Sequence, residues 1–131
     1  MNVAERLHGL RGEVPGCEAL AFADLSTGLV LCASSGQKKP QEWFDRICQA
    51  AIEALDGAFA RRASVVISDG RATGIGQAIQ LVDGELRLFL RSEAVPSEAL
   101  CCVCATDVAV DDLAARARVL LGEISTTEAP G

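Results

Sequence analysis

The sequence predicts a single α+β domain in which helices cover both faces of an antiparallel sheet. Two segments, 20–25 and 29–33, are apolar on both alternating faces, which is typical of strands that are covered on both sides. The pair Asp83-Gly84, flanked by alternating apolar residues, indicates a second hairpin. Helical periodicity near both ends and in the middle of the chain supplies the covering helices. A length of 131 residues fits one domain with a substantial core.

The first hairpin follows a short helix and a turn. Val3, Leu7 and Leu10 recur at helical spacing behind Asn2, a favourable N-cap residue. The turn between segments 20–25 and 29–33 contains Gly28, which can supply a positive φ.

The central helix, residues 41–55, has the strongest helical pattern and an unusually wide apolar surface. Its main stripe is Phe44, Ile47, Cys48, Ala51 and Leu55. Further apolar residues flank this stripe, with Trp43, Ala50 and Ala54 on one side and Ile52 on the other. At 100° per residue the apolar arc spans about 200°, whereas one core face needs about 100°. A second surface is therefore expected to pack on this helix.

The second hairpin, residues 79–90, is predicted to lie near a sheet edge. A two-residue turn at Asp83-Gly84 places Leu81 opposite Leu86, on the same face as Ile79. The opposite face of the hairpin is more polar. The pattern predicts one buried face and one partly solvated face.

A last helix is predicted to close the domain at residue 124. Its stripe is Leu113, Ala117, Leu120, Leu121 and Ile124. The domain is predicted to span residues 1–124, with a disordered tail at 125–131. Between the central helix and the second hairpin, Ser64 to Ser68 is compatible with an additional strand or with a long connection.

The stretch LCCVCA, residues 100–105, is interpreted as a buried strand that uses cysteine as a small apolar residue. Cys102 and Cys104 would share one face of this strand and Cys101 would lie on the other, so the C-x-x-C pair would diverge. No second cysteine pair completes a zinc site, and the helix that would activate a redox thiol begins too late in the sequence. Thiol or metal chemistry at Cys101–Cys104 stays as a third alternative.

The remaining chemistry-bearing features do not form a catalytic set. GRATGIG lacks the residues of a phosphate-binding loop, and the chain has one histidine, His8, and no tyrosine. A net charge of −6 disfavours nucleic acid and anionic membranes and favours protein partners. The absence of a signal-like or membrane-spanning stretch predicts a cytoplasmic protein with free thiols. We therefore predict that the chain is not an enzyme and has no cofactor and no metal site.

The order of elements resembles the roadblock family of dynein light chains and their bacterial relatives. The matching pieces are VPGCEALAFADLSTGLVLCAS, PQEWFDRICQAAIEAL, AIQLVDGELRLFLRS and ALCCVCATDVAVDDLAARARVLL, which together cover most of the chain. The resemblance implies a profilin-like fold, with a five-stranded antiparallel sheet between a central helix and the N- and C-terminal helices. The segment 58–76 departs from the family pattern and leaves the strand count at five or six.

The same resemblance implies a non-catalytic dimeric platform that acts with a small Ras-like GTPase, as an activator or a scaffold. The wide apolar arc of the central helix independently indicates self-association. The predicted dimer interface consists of Trp43, Ile47, Ala50, Ala54, Gln77 and Ile79. Candidate partner-binding residues on the polar face of the central helix are Glu42, Asp45, Arg46, Gln49 and Glu53. A heteromeric partner, and a profilin-like sensory domain that binds a small ligand, stay open as alternatives.

Overall fold

A computed structural model of the chain describes residues 2–57 and 76–128. The helices within these residues are α1 (Val3–Glu13), α2 (Gln41–Asp56) and α3 (Val110–Glu128). The strands are β1 (Cys17–Asp24), β2 (Leu29–Ser35), β3 (Gln77–Val82), β4 (Glu85–Arg91) and β5 (Glu98–Ala105). Across these ranges the strands form one five-stranded sheet in the order β2-β1-β5-β4-β3, and every neighbouring pair is antiparallel. The predicted α+β architecture is confirmed.

Helices cover both faces of the sheet. On one face α1 and α3 enclose an apolar core with Leu20, Phe22 and Leu88, and on the other face α2 packs over Ala21 and Phe89. The central strand β5 contributes to both cores, because its side chains alternate between them. Cys102 and Cys104 belong to the α1/α3 core and Cys101 to the α2 core, and all three are buried. The prediction that LCCVCA lies in a central, buried strand is therefore confirmed.

Local signals in the sequence explain where several elements begin and end. The side chain of Asn2 caps α1 by accepting a hydrogen bond from the Glu5 amide at 2.8 Å. Gly28 has φ 74° in the β1–β2 turn. Asp83 and Gly84 have φ 48° and 76°, as a type I′ turn requires.

Both edge strands are more exposed than the sequence predicts. Leu29 and Leu31 of β2 are 58% and 48% exposed, since no strand among the described residues lies outside β2 and a bulge interrupts its pairing with β1. On β3, Ile79 and Leu81 share the face of the buried Leu88, as predicted, but they are 49% and 72% exposed. The expectation that this face of the hairpin is buried holds for β4 and is wrong for β3, because the helices on that face stop short of the edge strand.

The end of α3 extends past the predicted domain end at residue 124. The helix runs to Glu128, and the side chain of Ser125 is fully buried. This corrects the predicted start of the tail, and residues 129–131 lie outside the described ranges. Ser64 to Ser68 and most of GRATGIG also lie outside them. No helix in the part of the chain described here is long and apolar enough to cross a membrane.

Candidate functional site

The central helix α2 presents three different surfaces. Its main stripe, which includes Ile47, Cys48 and Ala51, is buried against the sheet. Ile47 is 2% exposed, so this member of the predicted dimer interface supports the helix from beneath rather than facing outward. The flank formed by Trp43, Ala50 and Ala54, here called the apolar flank, is only partly buried.

The apolar flank is turned towards the β3 side of the sheet. Gln49 lies next to Gly28 in the β1–β2 turn, which places the opposite flank, with Ile52, over the β1–β2 hairpin. The apolar flank, which is about 100–140° around the helix from Gln49, is therefore directed towards β4 and β3. Lys39 lies 5.0 Å from the centre of the Trp43 ring and covers one face of the indole.

Strand β3 has an outer edge that is unpaired among the described strands. The Arg91 amide donates to the Gly76 carbonyl at 2.9 Å, just beyond the Gln77–Leu90 pair. Gln77 and Leu90 therefore form a non-hydrogen-bonded pair, and the same alternation applies to Ile79 and Leu81. The N–H and C=O groups of these three β3 residues point away from β4, so they can pair with a further strand.

The side chains of β3 add a polar and an apolar surface at this edge. Ile79 and Leu81 project on the α1/α3 face of the sheet, where they are the exposed members of the hairpin. Gln80 lies on the α2 face, and its Oε1 atom is buried with no hydrogen-bond donor among the described residues. A buried acceptor without a donor costs about 1–3 kcal/mol. The sequence pattern places Leu81 on the buried face of the hairpin and marks neither Gln80 nor Leu81 as a candidate site residue, because burial at an edge depends on what covers it.

The polar face of α2 carries all five candidate partner-binding residues, and all five are exposed: Glu42, Asp45, Arg46, Gln49 and Glu53. Arg46 forms an ion pair with Glu42 at 2.7 Å, and Gln41 donates to Asp45 at 3.1 Å. Because these groups are solvated, the contacts contribute little to stability. The face is a mainly acidic surface that is adjacent to the apolar flank.

Two of the three cysteines of LCCVCA, Cys101 and Cys102, lack the features of reactive thiols. Burial raises the pKa of Cys101 and of Cys102, so both are protonated thiols at neutral pH. Within the described ranges no group of three or more potential ligands forms a metal site. These observations favour the structural interpretation of the stretch.

Comparisons with known proteins show the fold. No family model matches the sequence, and no curated protein is significantly similar to it. Among solved structures, a roadblock/LC7 domain from Streptomyces avermitilis has a TM-score of 0.78 at 15% identity, covering 97% of this chain and 98% of the other. The chain has the roadblock fold. The prediction of a roadblock-like architecture is confirmed, with five of the predicted five or six strands present in the described residues.

Two further roadblock-fold structures are similar over nearly the whole chain. MglB, solved in a tetrameric arrangement, has a TM-score of 0.72 at 12% identity and covers 95% of this chain and 85% of the other. MglC from Myxococcus xanthus has a TM-score of 0.65 at 10% identity, with 97% and 99% covered. In the roadblock fold of this chain, the acidic face, the apolar flank and the β3 edge lie side by side.

Proposed function

We propose that the chain forms a homodimer through the apolar flank of α2 and the outer edge of β3, and that this dimer is a non-catalytic platform for a small Ras-like GTPase. The observation that carries the dimer is the position of a partly exposed apolar flank beside a strand edge that is unpaired and unbulged among the described residues. Edges of this kind are normally covered, paired or blocked in stable monomers.

A dimer with its twofold axis beside β3 would cover the apolar flank of α2 and pair the outer edge of β3 in the same interface. Two copies of β3 would pair through the outward backbone groups of Gln77, Ile79 and Leu81 and continue the sheet from one protomer into its partner. The same operation brings the two α2 helices together along Trp43 and Ala50, on one face of the joined sheet. A closed, self-complementary interface of this type is the commonest form of homodimer.

The buried Oε1 atom of Gln80 supports this arrangement. It lies on the α2 face of β3, which is the face where the second α2 helix would approach. A donor from the second copy would remove the cost of leaving this acceptor unpaired. MglB, which has the same fold, is described in a tetrameric arrangement, and this supports self-association as a use of the fold.

The substitution Ala50→Glu tests the dimer. It places a carboxylate at the centre of the proposed helix contact, twice per dimer and without a partner, and is expected to yield a monomer. Gln49→Glu is the matched control, because it adds the same charge one residue earlier on the solvated face. Light scattering at micromolar concentration should show two chains for the wild type and for Gln49→Glu, and one chain for Ala50→Glu. A wild-type protein with the mass of one chain would exclude the proposed dimer.

The GTPase partner rests on the roadblock resemblance and on the chemistry of the polar α2 face. Glu42, Asp45 and Glu53 place three carboxylates on one exposed surface that two dimer-related helices would present together. Such a surface suits a partner with basic side chains and would accelerate its association.

A pull-down with mass spectrometry, repeated with GTP and GDP analogues, would identify the partner. With that GTPase in hand, the double substitution Glu42→Lys and Glu53→Lys is expected to weaken binding by at least about tenfold. The control is a double reversal at Glu93 and Asp107, which are exposed residues away from α2. Equal affinities for the two double variants would show that the polar face of α2 does not bind the GTPase. GTP hydrolysis rates measured with and without the dimer would distinguish an activator from a scaffold.

The packing of α2 counts against the alternative of a sensory domain with a ligand between helix and sheet. Phe44, Ile47, Cys48, Ala51 and Leu55 fill the contact between the helix and the sheet. A cleft at the end of the sheet reaches the first turn of α2 at Trp43, and its lining mixes apolar side chains such as Val103 with charged ones such as Glu18. The described packing therefore favours an interaction module over a ligand-binding core.

A further inference from the structure

Cys17 and Cys104 face each other on adjacent strands at one end of the sheet. They are direct partners in the β1–β5 pairing. The Ala105 amide donates to the Gly16 carbonyl at 2.8 Å, just outside this pair, while the Cys17 amide donates to Val14 at 3.1 Å. The two cysteines therefore form a non-hydrogen-bonded pair, the position at which opposing side chains approach most closely. Such pairs have Cα atoms about 4.5 Å apart, within the range of about 4.4–6.8 Å that a disulfide spans.

A bulge in β1 brings the Cys17 side chain to this position. The register shifts between Cys17 and Ala19, which leaves Glu18 without a partner on β5. Regular alternation would have placed Cys17 on the same face as Ala19, in the α2 core. Instead Cys17 belongs to the α1/α3 core together with Cys104. Bulges commonly re-aim one side chain in this way.

The two thiols differ in their access to solvent. Cys17 is 7% exposed and lines a cleft of about 340 Å³ at the end of the sheet, together with Arg11 and Lys39. Cys104 is fully buried behind it. A small oxidant in this cleft can therefore meet the Cys17 sulfur first and cannot reach Cys104 directly.

Local electrostatics give the two thiols opposite tendencies. The pKa of Cys17 is lowered, chiefly because the Cys104 thiol donates a hydrogen bond to its sulfur; the nearby Arg11 guanidinium also lowers it, while burial and the Glu18 carboxylate oppose the shift. The same hydrogen bond, together with burial, raises the pKa of Cys104. Arg11 is held in place because its Nε donates to the Ser34 hydroxyl at 3.1 Å. A more acidic, accessible thiol beside a second cysteine is the usual arrangement of a redox-sensitive site.

We propose that Cys17 and Cys104 form a reversible oxidation site that reacts with small hydroperoxides to give a cross-strand disulfide. The Cys17 thiolate attacks one oxygen of hydrogen peroxide, the O–O bond breaks, and the departing hydroxide takes a proton and becomes water. The Cys104 sulfur then attacks the Cys17 sulfenic acid, forming the S–S bond. The expelled hydroxide takes the Cys104 proton and leaves as a second water. Two thiols are oxidised and one peroxide is reduced.

The other described cysteines lack one or more of these features. Cys102 faces Leu20 across the strand pair, and Cys101 and Cys48 belong to the opposite core. Cys32 is partly exposed, but its partner on β1 is Phe22. The site therefore predicts one specific disulfide, not general oxidation of the six thiols.

Treatment of the folded, reduced protein with hydrogen peroxide tests the proposal. Alkylation after denaturation should count four free thiols instead of six, the mass should fall by about 2 Da, and peptide mapping should join Cys17 to Cys104. A thiol reductant should restore all six. Retention of all six thiols in the wild type, or a disulfide that joins any other pair, would overturn the proposal without any variant.

Variants separate the roles of the two cysteines. Cys17→Ala is expected to keep all its remaining thiols under the same treatment. Cys104→Ala is expected to stop at a sulfenic acid on Cys17, detected as a dimedone adduct. Cys48→Ala, a buried cysteine in the opposite core, is the control and should form the same disulfide as the wild type. A dimedone adduct on Cys32 in place of Cys17 would contradict the assigned order of reaction.

Discussion

The two edges of the sheet differ in how they are protected. At the β2 edge, α1 packs against the strand, and Arg11 of that helix donates to Ser34 at 3.1 Å. The register shifts between the Phe22–Cys32 and Ala23–Val30 pairs, which leaves Leu31 of β2 as a bulged residue and makes the backbone groups of this edge irregular. Bulges and covering helices are common means of blocking an edge.

At the β3 edge, the described residues show no such device. β3 pairs with β4 along its whole length without a register shift, and its outer backbone groups are regularly spaced. Ile79 and Leu81 are exposed there, and Gln80 has a buried acceptor without a described donor. The comparison teaches that exposure of leucine or isoleucine alone does not mark an interface. Leu29 and Leu31 are exposed at β2 as well, but of the two edges formed by described strands it is β3 that combines apolar side chains with a regular edge.

The largest effect is expected from blocking the β3 backbone. Ile79→Pro removes an outward N–H group and leaves the hydrogen bonds to β4 in place, because the Ile79 amide does not point towards β4. Each of the two copies would lose a donor in the interface, which we expect to weaken the dimer by about 2–6 kcal/mol in total. Sedimentation equilibrium would measure this change.

The matched control is Ala33→Pro on β2. The Gly36 amide donates to Glu18 at 3.0 Å just beyond the Ala19–Ser35 pair, so the Ala33 N–H also points outward by alternation. The dimer should persist in this variant. Dissociation by Ala33→Pro together with an intact Ile79→Pro dimer would reverse the assignment of the two edges.

An effect of similar size is expected at Gln80. If a donor from the second copy pairs with Oε1, then Gln80→Met leaves that donor unsatisfied and weakens the dimer by about 1–3 kcal/mol at each copy. Gln41→Met, at the exposed start of α2, should leave the dissociation constant unchanged. A dimer that is tighter in Gln80→Met would show that Gln80 Oε1 has no donor in the dimer and that the glutamine destabilises the interface.

Much of the fold could be predicted because its signals are local. Asp83-Gly84 fixes the turn type, and the turn type fixes the register of β3 and β4. The stripe of α2 likewise identifies the face that packs on the sheet. These features depend on residues a few positions apart, so one sequence is sufficient to find them.

The parts that could not be predicted depend on distant elements. Alternation placed Ile79 on the face of Leu88, but only the positions of α1 and α3 decide whether that face is covered at the edge. The pairing of Cys17 with Cys104 depends on a bulge at Glu18, and no local sequence pattern predicts this bulge. Alternation alone would have assigned Cys17 to the wrong core.

The difference between central and edge strands should also appear in stability. Cys102 is fully buried in β5, so Cys102→Ala leaves a cavity and is expected to lower the free energy of unfolding by about 1 kcal/mol. Cys32 lies on the edge strand β2 and is partly exposed, so Cys32→Ala should cost less than about 0.5 kcal/mol. Urea denaturation of both variants would measure the two values, and equal losses would contradict the ranking of the strands.

The smallest effect is expected at the turns that join each edge strand to the sheet. In the β1–β2 turn, Asp24 accepts hydrogen bonds from the Ser26 hydroxyl at 2.6 Å and the Ser26 amide at 2.9 Å. These contacts, the hydroxyl first, lower the pKa of Asp24 below its usual value. A lowered pKa in the folded state stabilises the protein above the unfolded pKa of about 3.9, and this contribution is lost as the pH falls through the folded value.

Asp24→Asn should therefore remove part of the acid sensitivity of the wild type. The two proteins should differ most in unfolding free energy near neutral pH, by less than about 1 kcal/mol, and converge as the pH falls through the lowered pKa of Asp24. Asp83→Asn is the control in the other hairpin: asparagine also tolerates the positive φ of that position, so stability should change by no more than about 0.5 kcal/mol. Denaturant titrations at several pH values would compare the hairpins. If the difference in unfolding free energy between wild type and Asp24→Asn stayed constant from neutral to acidic pH, the charge of the Asp24 carboxylate would not stabilise the β1–β2 hairpin.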